Sequence, residues 1–267
     1  MSVLDMFRVD GQVAFVNGAG RGIGAASAIA LAEAGADVAI RARTVSQLED
    51  VAEQIRAYGR RVVVLPATDE PGDDVAALQR AVGELGGLNI LVNVVGGAMP
   101  GPFLKATDRV LNESFDFNVT GPLRLSRAAV PHMIATVADT GNSAAIVNIT
   151  TAMAHLVARG YSVYGTVKAA LEHGTKLLAA DLSPRIRVNG VAPGAIHTDS
   201  LEVIMRNPEI KASIEDATPM RRLGTSDDIA AAVLYLCSPA GSYVTGKIIE
   251  VDGGIRTPNF QMPFPDL

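Results

Sequence analysis

Several residue types are scarce in this chain. Among its 267 residues there is a single cysteine and no tryptophan, and aromatic side chains make up only 4%. Cys237 therefore cannot form an internal disulfide, which is typical of proteins kept in a reducing compartment. The first ten residues contain two aspartates and lack the apolar core of a signal peptide, so secretion is not expected. These scarcities predict a cytoplasmic protein.

Long hydrophobic runs and an excess of positive charge are also missing. No uninterrupted apolar stretch reaches the roughly 20 residues that cross a bilayer, so no membrane partner is expected. The net charge of −5 removes the electrostatic reason to expect a nucleic-acid partner. The four histidines stand apart without the spacing of metal ligands, and no metal site is predicted.

Hydrophobic residues are abundant, at 48% against 19% charged, which favours a chain folded around a sizeable core. Strands are predicted at residues 12–17, 37–41, 62–65, 90–93, 145–149, 187–191 and 247–251. Helices are predicted at residues 25–34, 45–57, 73–82, 108–117, 122–137, 162–182 and 227–236. This alternation predicts an α/β fold, a single domain over residues 1–267 with a doubly wound, parallel, seven-stranded sheet and helices on both faces.

A glycine cluster follows the first predicted strand. Residues 18–24 read Gly-Ala-Gly-Arg-Gly-Ile-Gly, and a helix-forming segment comes directly after them. Glycines let the backbone turn tightly and approach a pyrophosphate, while the helix N-terminus supplies N–H groups and a positive dipole. This order predicts a dinucleotide site that includes Gly18, Arg21, Gly22, Ile23 and Gly24.

The end of the second predicted strand bears on which dinucleotide binds. A NAD-selective site usually has an acidic residue there, which holds the ribose 2′-hydroxyl. This chain has Arg41 and Arg43 instead, and Arg21 lies in the glycine loop. The arginines favour the 2′-phosphate of NADP as cofactor. NAD is the alternative if they are only solvated surface residues.

Tyr164 and Lys168 are four residues apart in a predicted helix, so they would share one face. A positive charge a few ångströms from a phenol favours the phenolate and lowers the phenol's pKa. The same spacing also arises by chance. Tyr243 and Lys247 repeat it, but Gly246 lies between them in a stretch that favours loop and strand, so those side chains are not expected to converge.

Polar and glycine residues gather where predicted strands end. Asn93 ends the fourth strand, Thr150 and Thr151 follow the fifth, and Pro193-Gly194 follow the sixth. An open parallel sheet binds its ligands at this edge. We therefore expect a ligand site at the carboxyl ends of the strands.

Together these segments resemble the short-chain dehydrogenase/reductase family, in particular its ketoacyl-reductase and hydroxysteroid-dehydrogenase members, over roughly residues 10–254. The matching motifs, in the family's order, are the glycine loop, Asn93-Val94-Val95-Gly96, Asn118 within residues 115–121, Tyr164-x-x-x-Lys168, Pro193-Gly194-x-x-x-Thr198 and Val251-Asp252-Gly253-Gly254. The resemblance implies a Rossmann-type fold. It also implies an oxidoreductase that moves a hydride between a nicotinamide cofactor and a carbonyl or secondary alcohol.

By position, the resemblance gives catalytic roles to Asn118, Thr151, Tyr164 and Lys168. Tyr164 would exchange a proton with the substrate oxygen, and Lys168 would lower the Tyr164 pKa and hold the nicotinamide ribose. Asn118 would hold a water for proton relay. Thr151 stands where the family has a substrate-orienting serine; it keeps the hydroxyl but adds a stiffening methyl group. The alternative is that Thr151 only caps the strand end.

Further cofactor contacts follow from the resemblance; with Tyr164 and Lys168 they are Arg43, Asp69, Asn93, Gly96, Pro193, Gly194, Ile196 and Thr198. Thr198 would bond the nicotinamide carboxamide, and Pro193-Gly194 would let the backbone pass beneath the ring. Asp69 falls near an expected adenine contact in a segment that is one residue short. Two departures from the family pattern, Asn17 and Val94-Val95, are expected to alter hydrogen bonds around the cofactor.

Residues 200–218 are expected to form a substrate lid with a break at Asn207-Pro208. The apolar lid residues are Leu201, Val203, Ile204 and Met205, and the other candidate pocket liners are Met99, Met153, His155 and Tyr161. They predict a small-molecule substrate that is apolar, either steroid-like or acyl-like. The alternative is that these residues pack the lid onto the body or onto a neighbouring subunit.

The resemblance also implies a homotetramer or homodimer, formed through the helices around residues 122–137 and 162–182. The proline-rich tail, residues 257–267, is expected to lie on a neighbouring subunit. Two alternatives to an NADP-dependent oxidoreductase are a NAD-dependent dehydrogenase of the same family and a cofactor-binding sensor or scaffold without turnover. The presence of Asn118, Tyr164 and Lys168 together speaks against the sensor.

Overall fold

A computed structural model describes residues 2–97, 99–141, 144–198 and 207–260. Its strands, in chain order, are β1 (Val13–Asn17), β2 (Asp37–Ala42), β3 (Val62–Pro66), β4 (Ile90–Asn93), β5 (Ala144–Ile149), β6 (Ile186–Pro193) and β7 (Ile248–Val251). They form one parallel sheet in the order β3-β2-β1-β4-β5-β6-β7. The seven predicted strands and the doubly wound parallel sheet are confirmed. Strand order reverses between β1 and β4, which places a ligand crevice at the carboxyl ends there.

The α-helices of the described residues are α1 (Gly22–Glu33), α2 (Val45–Ala57), α3 (Asp73–Leu85), α4 (Asp108–Phe115), α5 (Gly121–Thr140), α6 (Ser162–Leu182), α7 (Pro208–Ala217) and α8 (Ser226–Cys237). The predicted helix at residues 108–117 needs a correction at its end. There the chain widens into a π-helical turn, Asp116–Thr120, which joins α4 to α5. Such turns are frequent at functional sites.

The predicted break at Asn207-Pro208 is the start of α7. The Asn207 side-chain oxygen accepts hydrogen bonds from the backbone N–H groups of Glu209 and Ile210, at 3.0 and 3.4 Å. Pro208 takes the first helical position, where its missing N–H has no cost. Of the predicted lid, residues 200–206 lie outside the described residues, whereas residues 208–217 form α7.

The helices cover both faces of the sheet, as predicted. Along β1, Ala14 and Val16 pack with α1, α2 and α8, whereas Val13 and Phe15 pack with α3, α5 and α6. Alternate residues of a strand point to opposite faces, so a strand that is apolar throughout needs cover on both. Phe15 is fully buried. Its burial contributes about 1.5–3 kcal/mol relative to an exposed side chain.

Cys237 ends α8 inside the core, as the sequence indicates. Burial raises the pKa of its thiol to about 12. The thiol is therefore protonated at neutral pH and a poor nucleophile. Within the described part of the chain, no helix combines the length and apolar character that crossing a bilayer requires.

The described start of the tail contacts its own chain. The Asn259 side-chain amide donates a hydrogen bond to the Thr218 hydroxyl at 2.8 Å. Phe260 packs against Ile214 of α7 and Leu223. These contacts lie within one chain, so the expectation that the tail lies on a neighbouring subunit stays a prediction, and residues 261–267 lie outside the described ranges.

Candidate active site

The glycine loop begins where β1 ends and runs into α1. The backbone N–H groups of Gly18 and Ala19 donate to the Arg41 carbonyl oxygen at 2.8 and 3.0 Å, so the loop is fixed to the end of β2. Gly18 has a φ of +99°, a conformation that favours glycine. A Cβ at Gly24 would lie 2.0 Å from the Gly18 carbonyl oxygen, so the first turn of α1 can pack on the loop only without a side chain.

The loop opens into a groove of about 1200 Å³ along the carboxyl ends of the strands. The predicted site residues that line it are Gly18, Arg21, Gly22, Ile23, Gly24, Arg43, Asp69, Gly96, Thr151, Tyr164, Lys168, Pro193, Gly194, Ile196 and Thr198. Residues from both ends of the sequence therefore meet in one groove. Its volume and its glycine-rich lining suit a dinucleotide.

Two predicted site residues, Asn93 and Asn118, are not in the groove lining. Asn93 is 1% exposed and donates to the side-chain oxygens of Asn148 and Ser126, at 2.8 and 3.3 Å. The Asn93 side chain fastens β4 to β5 and α5 beneath the groove, and its contact with the cofactor stays a prediction. Asn118 is buried behind the groove lining, next to Lys168.

Tyr164 sits in the first turns of α6 and faces Thr151 across the groove wall. Their side chains form a hydrogen bond. Thr151 also accepts from the backbone N–H of Met153 at 3.3 Å, so it both caps the turn after β5 and contacts Tyr164. The two alternatives for Thr151 are thus not exclusive. The Tyr161 ring lies beside Tyr164, with ring centroids 6.5 Å apart.

The approach of α6 to the turn after β5 depends on Gly165, which was not among the predicted site residues. A Cβ on Gly165 would lie 2.9 Å from the carbonyl oxygen of Met153. This lets the helix pack directly on the turn that carries Thr151. In the sequence, Gly165 is only a glycine inside a predicted helix, and this pattern alone does not indicate close packing on another segment.

The expected lowering of the Tyr164 pKa by Lys168 needs a correction. Burial raises the pKa of Tyr164, and the hydrogen bond with Thr151 is the contact that lowers it. Tyr164 is therefore a protonated phenol at neutral pH and is ready to donate.

Lys168 is 2% exposed, and its ammonium donates to the Ile149 carbonyl oxygen at 3.1 Å. Burial lowers the pKa of Lys168 to about 8, and the negative charge of Glu172 opposes part of this change. A buried ammonium with one protein acceptor has donors left for a ligand. This fits the predicted contact with ribose hydroxyls.

Asn118 is held in the π-helical turn and is fully buried. Its side-chain oxygen accepts from the Gly97 N–H at 2.8 Å, and its amide donates to the carbonyl oxygens of Gly97 and Ser114 at 3.0 and 2.9 Å. A Cβ on Gly96 would lie 2.9 Å from Asn118 Oδ1 and 2.4 Å from Lys168 Nζ. Asn118, Gly96 and Lys168 are thus in one tight cluster, and the water relay through Asn118 stays a prediction.

The second tyrosine–lysine pair behaves as expected of a chance spacing. Tyr243 is fully exposed, and Lys247 is exposed just before β7. Gly246 between them has a φ of +70°, so the segment is not helical. Tyr243 and Lys247 therefore share no helix face.

The fold brings His155 close to Glu250 and Asp252, which are far from it in sequence. One ligand atom each of His155, Glu250 and Asp252 lies within 4.8 Å of the others. The two ring nitrogens of His155 are 3.9 Å from Glu172 and 3.8 Å from Glu250. His155 is therefore directed at carboxylates and is not in the groove lining, unlike Met99. His155 and Glu250 are exposed, and this grouping does not by itself make a metal site.

Replacing Lys168 with Met is expected to stabilise the folded chain at pH 7 by about 1–3 kcal/mol. The fall of the Lys168 pKa from 10.5 to about 8 means that burying the charged ammonium costs about 3 kcal/mol, which the variant avoids. Loss of the hydrogen bond to the Ile149 carbonyl offsets part of this gain. Below pH 8 the folded protein bears the full cost of the buried charge. Between pH 8 and 10.5 the folded state releases its proton first, so wild-type stability rises relative to the variant.

Urea unfolding at pH 7 and pH 10 measures this difference. The free-energy gap between Lys168→Met and wild type should largely close at pH 10. Lys176→Met, which changes an exposed lysine two turns along α6, controls for loss of one positive charge. A gap that stays constant between the two pH values would contradict the assignment to Lys168.

Comparisons with known proteins agree with this geometry. Residues 18–256 match the family model described as enoyl-(acyl carrier protein) reductase. An oxidoreductase of Mycobacterium tuberculosis is 51% identical over 99% of this chain and 100% of its own length. The structure of 7α-hydroxysteroid dehydrogenase complexed with NADH and 7-oxo glycochenodeoxycholic acid has a TM-score of 0.89, with 35% identity over 97% of this chain and 100% of that one. The Pseudomonas aeruginosa RhlG/NADP complex has a TM-score of 0.85, with 31% identity over 94% and 98%.

Proposed function

Since this chain belongs to the short-chain dehydrogenase/reductase family of oxidoreductases, which act on hydroxyl and carbonyl groups, we propose that it is an NADP-dependent enzyme for an apolar ketone or secondary alcohol. The observation that carries the proposal is the hydrogen-bonded pair Thr151 and Tyr164, with buried Lys168 one turn away, in a groove that suits a dinucleotide. The chain thus has a proton donor, a hydroxyl to orient the substrate oxygen and a cation in one place.

The residues of the groove fit a nicotinamide dinucleotide. The glycine loop leaves N–H groups at the start of α1 for phosphates, and Gly96 and Gly194 keep side chains out of the lining. When bound, the nicotinamide supplies or accepts the hydride. In the reductive direction the Tyr164 hydroxyl donates its proton to the carbonyl oxygen, while the Thr151 hydroxyl bonds the same oxygen. Lys168 binds ribose hydroxyls and helps return a proton to Tyr164.

The preference for NADP rests on arginines at the adenosine end of the groove. Arg41 is occupied: it donates to Asn17 Oδ1 at 3.1 Å and forms an ion pair with Asp73. Arg43 is exposed, lines the groove and has no hydrogen bond or ion pair within the described part of the chain. Arg43 is thus available for a 2′-phosphate, and Arg21 in the glycine loop lines the same groove.

Arg43→Ala is expected to weaken NADP⁺ binding by about 10- to 100-fold and to leave the NAD⁺ dissociation constant within about twofold of wild type. The loss corresponds to one charge-assisted hydrogen bond to the 2′-phosphate, which contributes about 1.5–3 kcal/mol. Calorimetric titration with both dinucleotides measures the two dissociation constants. Arg56→Ala removes an exposed arginine of the same helix region away from the groove and serves as the control. Equal losses for both dinucleotides, or a wild-type preference for NAD⁺, would refute the NADP assignment.

An apolar substrate is supported by the side chains around the mouth of the groove. Met99 is 91% and Phe117 49% exposed, and both line the groove. Exposed apolar side chains beside a reactive centre are typical of a site that binds an apolar ligand. The half-buried Tyr161 adds a third apolar surface next to Tyr164.

A carbonyl and alcohol panel tests the substrate class. Steroid ketones, 3-ketoacyl thioesters and four-carbon keto sugars are compared with NADPH and NADH, following the absorbance of the reduced nicotinamide. We expect the steroid or acyl compounds to have kcat/KM at least tenfold above the sugars. Turnover restricted to the sugars would refute the apolar choice, and no turnover with any compound would favour the sensor or scaffold alternative.

A homotetramer or homodimer also stays part of the proposal. Leu111 and Phe115 on α4 and Phe103 and Leu104 before it are large apolar side chains exposed on the described surface. Exposed apolar patches commonly mark subunit contacts. Light scattering of the purified chain gives the mass directly, and a monomer would contradict this assembly.

A further inference from the structure

Arg41 is an unusual side chain for the end of a central strand. It is 8% exposed and lies in register with Asn17 of β1, so both side chains are on one face of the sheet. Its guanidinium donates to Asn17 Oδ1 at 3.1 Å. Asn17 is also one of the two places where the sequence departs from the family pattern near the cofactor. The departure therefore has a partner in Arg41.

The other side of the guanidinium meets the start of α3. Arg41 forms a hydrogen-bonded ion pair with Asp73, and the same Asp73 oxygen accepts from the backbone N–H of Thr68 at 3.1 Å. Burial raises the pKa of Asp73, but the hydrogen bonds from Arg41 and Thr68 and the charge of Arg41 outweigh burial, so the net shift is downward. Asp73 is thus ionised at neutral pH and fastens the turn after β3 to Arg41.

The Asn17–Arg41–Asp73 network connects three walls of the adenosine end of the groove. The Arg41 carbonyl holds the N–H groups at the start of the glycine loop, and its side chain reaches the turn that carries Thr68 and Asp69. Asn17, Arg41, Thr68 and Asp69 all line the groove. The Arg41 side chain therefore joins the end of β1, directly before the glycine loop, to the turn after β3.

Arg41 and Arg43 differ in whether a carboxylate neutralises the guanidinium. A nearly buried arginine paired with an ionised carboxylate leaves little net charge for a ligand, and moving it toward a phosphate would leave Asp73 without its cation. Arg43 is exposed and has no such partner among the residues that the structure describes. Of these two arginines, Arg41 is thus suited to hold neighbouring segments together, and Arg43 is suited to bind an anionic ligand.

We propose that Arg41 is a positioning residue for the adenosine half of the cofactor: it holds the glycine loop and the residue 68–73 turn at the separation that binding requires, and it does not contact the 2′-phosphate. The inference rests on the proposed binding of a nicotinamide dinucleotide. It does not depend on whether that dinucleotide is NADP or NAD. It predicts equal effects on both.

The test is titration of Arg41→Met with NADP⁺, NAD⁺ and ADP-ribose. All three dissociation constants should rise by a similar factor, about tenfold or more, with the NADP⁺/NAD⁺ ratio within twofold of wild type and kcat at saturating cofactor little changed. Arg124→Met is the matched control. Arg124 pairs with Asp74, the neighbour of Asp73, at 3.0 Å, and neither Arg124 nor Asp74 lines the groove.

A second variant guards against misfolding. Arg41→Met leaves the partly exposed Asp73 without its cation, whereas Arg41→Met/Asp73→Asn removes both charges and keeps an acceptor for the Thr68 N–H. The double variant should melt near wild type and still show the equal loss of affinity. A role confined to stability would lower the melting temperature of Arg41→Met and leave the affinities of the double variant at wild-type values, which would overturn the proposal.

The remaining outcomes are also decisive. A changed NADP⁺/NAD⁺ ratio like that of Arg43→Ala would mean that Arg41 contacts the 2′-phosphate, and would overturn the proposal. A wild-type chain that binds neither dinucleotide overturns the proposed function and this inference together. A wild-type chain that prefers NAD⁺ overturns only the cofactor choice, and the equal loss in Arg41→Met then still supports the positioning role.

Discussion

Tyr164→Phe is expected to lower kcat by about 100- to 10,000-fold, the usual contribution of a general acid or base, while the dissociation constant of the cofactor stays within about twofold. The change removes one oxygen and keeps the ring, so α6 and its packing are retained. What is lost is the hydroxyl that bonds Thr151 and donates the proton. Single-turnover absorbance measurements with NADPH separate this chemical step from cofactor binding, which titration measures independently.

Two other tyrosines provide matched controls. Tyr161→Phe removes a hydroxyl from the ring beside Tyr164, and Tyr243→Phe removes one from the exposed chance pair. Both should keep kcat within a few-fold of wild type. Substantial residual turnover in Tyr164→Phe, or an equal loss in Tyr161→Phe, would mean that the proton comes from another group.

The raised pKa of Tyr164 bears on the direction in which the site is prepared to work. A phenol that stays protonated at neutral pH can donate to a carbonyl oxygen at once, whereas oxidation of an alcohol first needs the phenolate. Burial is the main cause of the raised value, and Thr151 provides the opposing hydrogen bond. The raised Tyr164 pKa predicts that alcohol oxidation gains rate as pH rises, which a pH profile of kcat in that direction measures.

Features that are local in sequence could be predicted. Each strand is a short apolar run, and the glycine loop lies within seven residues between a strand and a helix, so their patterns are complete in the sequence. Tyr164 and Lys168 are one turn apart in α6, and helical geometry alone places them together. The family resemblance then added Asn118, Thr151 and Thr198, which only the fold brings near.

Features that depend on burial or on distant partners could not be predicted. In the sequence, Arg41 cannot be distinguished from an exposed arginine such as Arg43. In the structure, Arg41 pairs with Asp73, which lies 32 residues later in the chain. The pKa of Tyr164 was predicted with the wrong sign because the charge of Lys168 was weighed and the desolvation of the phenol was not. The π-helical turn around Asn118 has no signature in the apolar pattern.

Gly96→Ala is expected to lower kcat by about 100-fold with only a small loss of stability, because displacing a catalytic group by about 1 Å has an effect of that size. The new Cβ would lie 2.4 Å from Lys168 Nζ and 2.9 Å from Asn118 Oδ1, both impossible distances. Lys168 Nζ is the end of a flexible side chain, so it can move aside cheaply. The fold then survives, while the ammonium leaves its place beside the Ile149 carbonyl.

The split between stability and activity is what identifies this mechanism. Gly101→Ala is the matched control, since a Cβ there meets nothing within 4 Å and its N–H still donates to the Gly160 carbonyl. Thermal melting and kcat of the two variants should show similar melting temperatures and very different turnover. Wild-type turnover in Gly96→Ala would mean that Lys168 tolerates displacement and is not needed at its observed position. A large fall in melting temperature would instead show that the Lys168–Asn118 cluster is rigid, and that Gly96 is needed mainly for the stability of the fold.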